Sequence, residues 1–461
     1  MILACPSLKT SSEQRGAASP RLGRIAIVLF SLMLLLLALH PHAALADREA
    51  ESLAELSQSL VSGPEISELL AQALRANPTI EAARQGWKAA VERYRVTNGY
   101  PDPKLSLAYP FESKIGASEW GVSLSQGIPF PGRLTAEGEV VSADIRLAQI
   151  AYDKAIREVA TAVRQSAHEL LYLQTARKIA AGNRELLKQL DASGLASYAK
   201  ERTALIDLAK ASAQSAQLQY DALLLEELEA TEFTKLNALL GRPPGSPIGP
   251  LVAPKLRTLN GSLADLYRIA GEGRSEVLLA KASQVKAERG IAVARYQTLP
   301  EFELGLFVNS VKEADPLGDP NQTGIKAVGA TVSLSLPLWF GKNQGRTAEA
   351  EALLARSKSE VEAQVNEARA EAGRLFFRLR NAERLITLYR EELLPQANKA
   401  VETAESWFKE GKGSLSDFSE TRTVLYNFQL ALARATADQG QNLAALEGLA
   451  GRNLTNPEAS Q

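Results

Sequence analysis

Few side chains in this sequence are placed to do chemistry, and the two most suggestive are acids. Asp417 and Glu420 stand three apart in Ser416-Asp417-Phe418-Ser419-Glu420-Thr421, a spacing that puts both carboxylates on one face of a helix. Asp417, just after Gly413-Ser414, could cap a helix N-terminus, where carboxylates are favoured. Histidine offers less. His40 and His42 fall in an N-terminal leader, which leaves His168 alone in Ser166-Ala167-His168-Glu169-Leu170, a helical context. There is no nucleophile motif, phosphate loop or carboxylate–histidine cluster at metal spacing. The expectation is a protein that is not an enzyme and needs no cofactor, so its function must lie in its elements.

The leader is legible. Arg15, Arg21 and Arg24 precede the uncharged apolar run Ile25 to Leu39, and Ala44-Leu45-Ala46 offers a small-residue cleavage site before Asp47. These are the three regions of a secretory signal peptide, assigned to 1–46. The apolar run is short for a membrane-spanning helix. Its removal takes Cys5, Met1 and Met33, so the mature chain holds no thiol or thioether, and no cysteine follows the run to accept a lipid. It also takes four of 52 basic and one of 53 acidic residues, leaving 48 against 52. Nothing in that balance suggests nucleic acid. The mature chain also offers a metal ion no soft ligands. Apolar residues make up 45% but aromatics only 6%, and alanine is abundant, which favours long helices packed through small side chains over one bulky core.

The elements come twice. After a flexible lead-in at 47–65, Ile66, Leu69, Leu70, Ala73 and Leu74 mark a helical face; Pro78 starts a second helix that ends at Asn98-Gly99. Alternating runs predict strands at about 103–110 and 118–128, joined by a short polar loop. The motif Ser125-Gln126-Gly127-Ile128-Pro129-Phe130-Pro131-Gly132-Arg133 then turns the chain into a proline-free helical pattern from Leu134 to about Leu190. A break is expected at Gly194-Leu195-Ala196-Ser197, and a return helix from about Glu201 to Leu240 stops at Gly241-Arg242-Pro243. Residues 243–262 read as a linker. The second half repeats the order at an offset of 197, which pairs Leu263 with Ile66, Pro300 with Pro103, Phe302 with Leu105 and Leu304 with Leu107. Its strands are expected at about 300–309 and 326–337, around a long loop at 310–324. The second corner is Leu336-Pro337-Leu338-Trp339-Phe340-Gly341-Lys342. The following helix should kink or break at Leu394-Pro395, turn at Gly411-Lys412-Gly413 and return to Gly451-Arg452; 453–461 read as disordered. Such a repeat implies one object built from two similar halves, 66–242 and 263–452.

The strands and helices leave parts unpartnered. Strands of nine to eleven residues, apolar on one side and small or polar on the other, match membrane-barrel strands in length and period; a soluble sheet with one buried face would show the same alternation. Four strands cannot close a barrel, and open edges are not tolerated in hydrocarbon. If the strands lie in a membrane, several copies must close it together, with eight, twelve or sixteen strands all permitted. The long Ala/Leu patterns likewise need partner helices.

The doubled corners, the helix ends Leu239-Leu240-Gly241-Arg242 and Leu449-Ala450-Gly451-Arg452, and the tip turns at 193–196 and 410–417 together resemble the TolC family of bacterial outer membrane efflux proteins over residues 66–452. The resemblance implies a mainly α fold with a membrane β part, in which each of two repeats carries a β-hairpin and a long α-helical hairpin. It implies a homotrimer forming a 12-stranded β-barrel and a periplasmic α-barrel, fed by an inner-membrane pump of the resistance-nodulation-division type through a periplasmic adaptor. Asp417 and Glu420 match acidic positions of the family's periplasmic gate. Gly194, Leu195, Gly411 and Gly413 fall at the adaptor-facing tips. Pro129, Phe130, Gly132, Pro337, Trp339, Phe340 and Gly341 form the strand–helix corners. Trp120, Tyr109, Phe130, Trp339 and Phe340 are candidates for interfacial aromatic belts, although Trp339 and Phe340 could equally pack the corner. A type I protein-secretion duct is the close alternative. A periplasmic coiled-coil adaptor is the alternative of another class.

Overall fold

The computed structural model describes residues 65–109, 111, 118–198, 205–259, 261–311 and 325–455. The leader expectation at 1–46, most of the lead-in and most of the two hairpin loops lie outside these residues. The first repeat runs α1 (Ile66–Ala76), α2 (Pro78–Thr97), β1 (Lys104–Ala108), β2 (Ser118–Ile128), α3 (Arg133–Tyr198) and α4 (Leu205–Leu239). The second runs α5 (Leu263–Gly273), α6 (Ser275–Tyr296), β3 (Glu301–Val311), β4 (Ile325–Ser335), α7 (Phe340–Thr387), a π turn (Leu388–Leu393), α8 (Leu394–Lys409) and α9 (Leu415–Ala450). At 66 residues, α3 is about 100 Å long.

Helix boundaries follow capping chemistry. Asn77 accepts from Thr79 N at 2.8 Å to start α2, and donates through Nδ2 to the Leu239 carbonyl at 2.8 Å. One side chain therefore starts a helix and satisfies a carbonyl at the end of another. Ser262 starts α5 with a reciprocal capping box to Asp265. Gly241 and Gly451 end α4 and α9 at φ +66°, a conformation that L side chains avoid. A Cβ on Gly241 would sit 2.4 Å from the Ala76 carbonyl oxygen.

The core is spread along the helices. Leu69, Val163, Ala167, Leu170, Leu236 and Leu240 join α1, α3 and α4; Leu375, Leu379, Leu443 and Leu446 join α7 to α9. A separate cluster of Ala397, Val401, Leu415, Phe418 and Leu425 joins α8 to α9 near the tip. Each fully buried leucine contributes about 2 kcal/mol relative to exposure. Between them lie buried alanines such as Ala368, Ala372 and Ala382, whose small volume lets helices approach closely.

Several expectations need correction. No break occurs at Gly194-Leu195-Ala196-Ser197, because the α3 backbone stays helical to Tyr198; the connection to α4 falls at 199–204, outside the described residues. Glycine in a helix costs only about 1 kcal/mol, too little to stop so long an element. At Leu394-Pro395 the helix neither ends nor simply kinks. It widens into the π turn at 388–393, which accommodates the missing proline N–H and the ring's demand for space. Ser310 and Val311, expected in a loop, belong to β3. The linker is packed: Leu251 and Leu259 are buried, and Leu251 N donates to Gln174 Oε1 at 3.1 Å. The first residues of the expected disordered tail are ordered. Leu454 is buried, and Arg257 donates to Thr455 Oγ1 at 3.3 Å.

Candidate functional site

The four strands form one antiparallel sheet in the order β1-β2-β3-β4. Its central seam, β2 with β3, joins the two repeats, from Ile128↔Phe302 to Ser118↔Val311. Side chains alternate across it. Leu105 and Leu107 of β1, Val122 and Leu124 of β2, Leu304 and Leu306 of β3, and Val328 and Val332 of β4 share one face by register. That face is bare: Leu107, Val328 and Val332 are 76%, 75% and 74% exposed. An apolar sheet face without a cover is a binding surface or a lipid-facing one. The other face carries Ser123, Ser125, Glu303, Thr331 and Ser333. Three glycines on it lie under their cross-strand partners: Gly121 under Asn309, Gly305 under Thr331 and Gly329 under Phe307. Within the described chain, β1 and β4 each have one unpaired edge.

Below the sheet the two corners differ. At the first, Gly132 adopts φ +90°, and a Cβ there would meet the Tyr296 hydroxyl at 2.5 Å. Phe130 packs beside Tyr296 with ring centroids 6.5 Å apart. Arg133 donates to Glu137 at 2.9 Å and also pairs with Glu301 at the start of β3, so this corner is fastened to the other repeat. The hydrogen bond to Glu137 raises the Arg133 pKa, partial burial opposes it and the bond to Glu301 adds to it, the net being upward. At the second corner the bend uses no left-handed glycine. Two tight turns, Leu338 N to Leu336 O at 2.9 Å and Phe340 N to Leu338 O at 3.1 Å, carry the chain past Pro337 into α7. Gly341 lies inside the first turn of that helix and faces open space, so it belongs to the corner by position without supplying the bend. Trp339 and Phe340 are 77% and 80% exposed, so they do not pack the corner as Phe130 does.

At the opposite end, Gly411 turns α8 at φ +72°, and the Trp407 carbonyl accepts from Lys412 N at 2.8 Å and Gly413 N at 3.1 Å. Ser414 caps α9: Asp417 N donates to Ser414 Oγ at 3.0 Å, and Ser414 N to Asp417 Oδ2 at 3.3 Å. Asp417 is therefore a capping acid whose side chain remains exposed. Glu420, also exposed, accepts from Ser416 Oγ at 3.3 Å and lies 3.9 Å from Lys210 Nζ on α4. Phe408 stacks on Phe418, centroids 6.0 Å apart, beneath this turn. Of the four tip glycine and leucine candidates, the structure places Gly411 and Gly413 at a turn and Gly194 and Leu195 in helix.

With this geometry in hand, the chain can be set beside known proteins. A family model described as outer membrane efflux protein matches residues 266–452. That match covers most of the second repeat. No curated protein sequence matches significantly. Among solved structures, the outer membrane protein VceC of Vibrio cholerae aligns at 19% identity and TM-score 0.68, covering 84% of this chain and 96% of VceC. The outer-membrane channel OprN aligns at 18% identity and TM-score 0.71, with 87% and 92% coverage. The open-state MtrE outer membrane channel of Neisseria gonorrhoeae aligns at 18% and 0.62, with 85% and 90% coverage. At such identities the likeness establishes the fold, which is TolC-like in both repeats.

Within this fold, some polar contacts between helices had no sequence cue. Arg434 Nη1 of α9 donates to both carboxylate oxygens of Glu169 on α3 at 2.8 Å, and the guanidinium sits over the Tyr172 ring at 5.0 Å. Buried Glu447 is held by Arg164 at 3.1 Å and lies 3.7 Å from Arg257. His168 lies against α9, where a Cβ on Gly440 would come within 2.3 Å of its ring. Burial, then Arg257 and Arg164, push its pKa down to about 4. The ring also faces a cavity of about 640 Å³ between α3, α9 and the linker. An isolated glycine in a long helical pattern was the one available sign of such a close approach.

Proposed function

We propose that the protein is a subunit of an outer membrane exit duct, a passive channel through which a pump in the inner membrane discharges small molecules or metal cations. One observation carries this: a four-stranded antiparallel sheet, apolar and bare on one face, with both edges free, stands on helical hairpins some 100 Å long. Hydrocarbon is the solvent that such a face suits, and free edges in hydrocarbon must be closed by further strands. Three copies would supply twelve strands, within the known range for closed barrels, with the small polar face turned to the lumen. The exposed aromatics Tyr109, Trp339 and Phe340 suit the two interfaces of the bilayer. The leader at 1–46 supplies export.

The same reading gives the helical tip to a periplasmic adaptor, with Gly411 and Gly413 at the contact and a resistance-nodulation-division pump beyond it. Asp417 and Glu420 stand one turn above that tip; in three copies they make an acidic ring that selects and slows cations. The test is fractionation and electrophysiology of the full chain expressed in a Gram-negative host. A heat-modifiable trimer in outer-membrane extracts that conducts in planar bilayers is expected. Recovery as a soluble periplasmic monomer would overturn the reading.

A further inference from the structure

The linker between the repeats makes a roof. Leu251 N donates to Gln174 Oε1 at 3.1 Å. Further along, Arg257 lies 3.7 Å from the Glu447 carboxylate, which accepts from Arg164 at 3.1 Å. Residues 251–257 therefore run along the groove between α3 and α9, from the level of Gln174 to that of Arg164. Gln439 Nε2 donates to the Arg257 carbonyl at 2.6 Å and ties the roof to α9. Beneath it lies the cavity of about 640 Å³, a volume usual for small-molecule sites. Its lining on α3 extends from Arg164 to Ile179, a length of about 22 Å along the helix axis.

The lining is long, apolar and cationic at one end. Buried Ala437, Gly440, Leu443 and Ala444 of α9 form its floor, and Leu70, Leu171, Ile179, Leu394 and Leu432 supply apolar walls. Arg164, Lys255 and Arg257 stand at the other end, and Arg390 borders the cavity from the π turn. Among the described residues no aspartate or glutamate lines it. The two arginines share one carboxylate, Glu447, and Lys255 adds a third cation with no ion pair among the described residues. The surplus of positive charge reaches the wall, where burial first and then Arg257 and Arg164 lower the His168 pKa. We propose that this cavity binds a single-chain anionic amphiphile, such as a long-chain fatty acid, with its carboxylate among Arg164, Lys255 and Arg257 and its chain along Leu171, Leu432 and Ile179.

Charge complementarity selects the head group. A cation is repelled at the Arg164 end, and a neutral chain leaves the guanidiniums unused. A carboxylate matches the arginine fork and forms charge-assisted hydrogen bonds with it. Donors are free for this purpose. Arg164 bonds to protein only through Nη1 to Glu447, and Arg257 only through Nη1 to Thr455, among the described residues. A head group held by Arg164 of α3 and by Lys255 and Arg257 of the linker would brace the stretch that joins the two repeats. The site goes beyond the exit-duct reading, because a single chain supplies its whole lining and it does not depend on how copies assemble.

The test is photolabelling of the full chain in amphipol, free of detergent, with a laurate that carries a diazirine on its chain, followed by peptide mapping. Label is expected in the stretches 171–179 and 432–437, which line the cavity. Excess laurate should displace it, whereas dodecanol and dodecyltrimethylammonium, with the same chain under a neutral or positive head, should not. Lys255→Glu and Arg257→Gln should each raise the laurate concentration needed for displacement about tenfold, as the loss of one charged contact implies. Both side chains are exposed on the linker, and if one variant fails to fold the other decides. Equal displacement by dodecanol would reduce the cavity to a plain apolar groove and overturn the proposal, as would parent-like displacement in every folded variant. Label confined to the strands, with both helix stretches bare, overturns it too, whether the lead-in, a second copy or nothing fills the cavity. None of these outcomes bears on the exit-duct reading.

Discussion

Replacing Gly440 by alanine should destabilise the helical part, and only while His168 is present. The Cβ would sit 2.3 Å from His168 Cε1, 2.4 Å from Nδ1 and 2.5 Å from Nε2, so it meets the ring face. Carbon–carbon contact needs about 3.5 Å, and the ring, wedged between α3 and α9, must retreat by about 1 Å. Overpacking of this kind costs about 1–3 kcal/mol. Against it stands the gain of about 1 kcal/mol for alanine over glycine inside a helix. The net is a loss of up to about 2 kcal/mol with histidine present, and a gain of about 1 kcal/mol once His168→Ala has vacated the space. The assay is the thermal midpoint of the helical circular-dichroism signal in detergent at one scan rate, because such assemblies unfold irreversibly. Gly440→Ala should lower the midpoint in the parent chain and raise it in the His168→Ala background. The same sign in both backgrounds would refute the account of why glycine occupies this position.

His168 also predicts a pH response. Its folded pKa near 4 lies below the ordinary 6.5, so the unfolded chain binds the extra proton first and stability falls as pH drops from about 6.5 towards 4. At pH 5 the loss is about 2 kcal/mol; the midpoint drop between pH 7 and pH 5 should shrink in His168→Gln. Asn77→Ala removes an N-cap and leaves the Leu239 carbonyl without its donor, a cost of about 1–3 kcal/mol measurable by the same thermal assay. Asp417→Ala with Glu420→Ala should raise single-channel conductance in planar bilayers and weaken block by multivalent cations. Unchanged conductance and block would remove both acids from the constriction. The cap to Ser414 adds a control, since Asp417→Asn keeps a hydrogen-bonding side chain there while removing the charge.

The repeat made most of the architecture legible, because the same order of strands, corner and long helix occurring twice is hard to obtain by chance. Gly241 and Gly451 marked helix ends correctly, since only left-handed backbone ends a helix that way. Gly194 misled for the complementary reason, and Gly341 shows the same. A glycine permits unusual backbone without demanding it, and neither residue carries it in the structure. The π turn at 388–393 has no sequence signal beyond Pro395. The site was legible as positions more than as contacts. The acid spacing of Asp417 and Glu420 was plain in sequence, but their partners Ser414 and Lys210 depend on a cap and on a helix some 200 residues away. The seam of β2 with β3 was also hidden, because strand alternation fixes faces and says nothing about which strand lies alongside.

That seam bears on how the chain folds. Each hairpin can zip up from its own turn, but Ile128 must find Phe302 across about 170 residues, a closure costing about 2–3 kcal/mol more in chain entropy than closing a ten-residue hairpin loop. The two hairpins should therefore form early and the sheet late, after α3 and α4 have brought the chain back. Until then β2 and β3 are also edges, so a nascent chain exposes four unpaired strand edges in water where the finished sheet exposes two. Such edges are templates for misassembly. If the chain is the exit duct proposed above, the interval before its strands reach lipid is the period in which it most needs a holding partner.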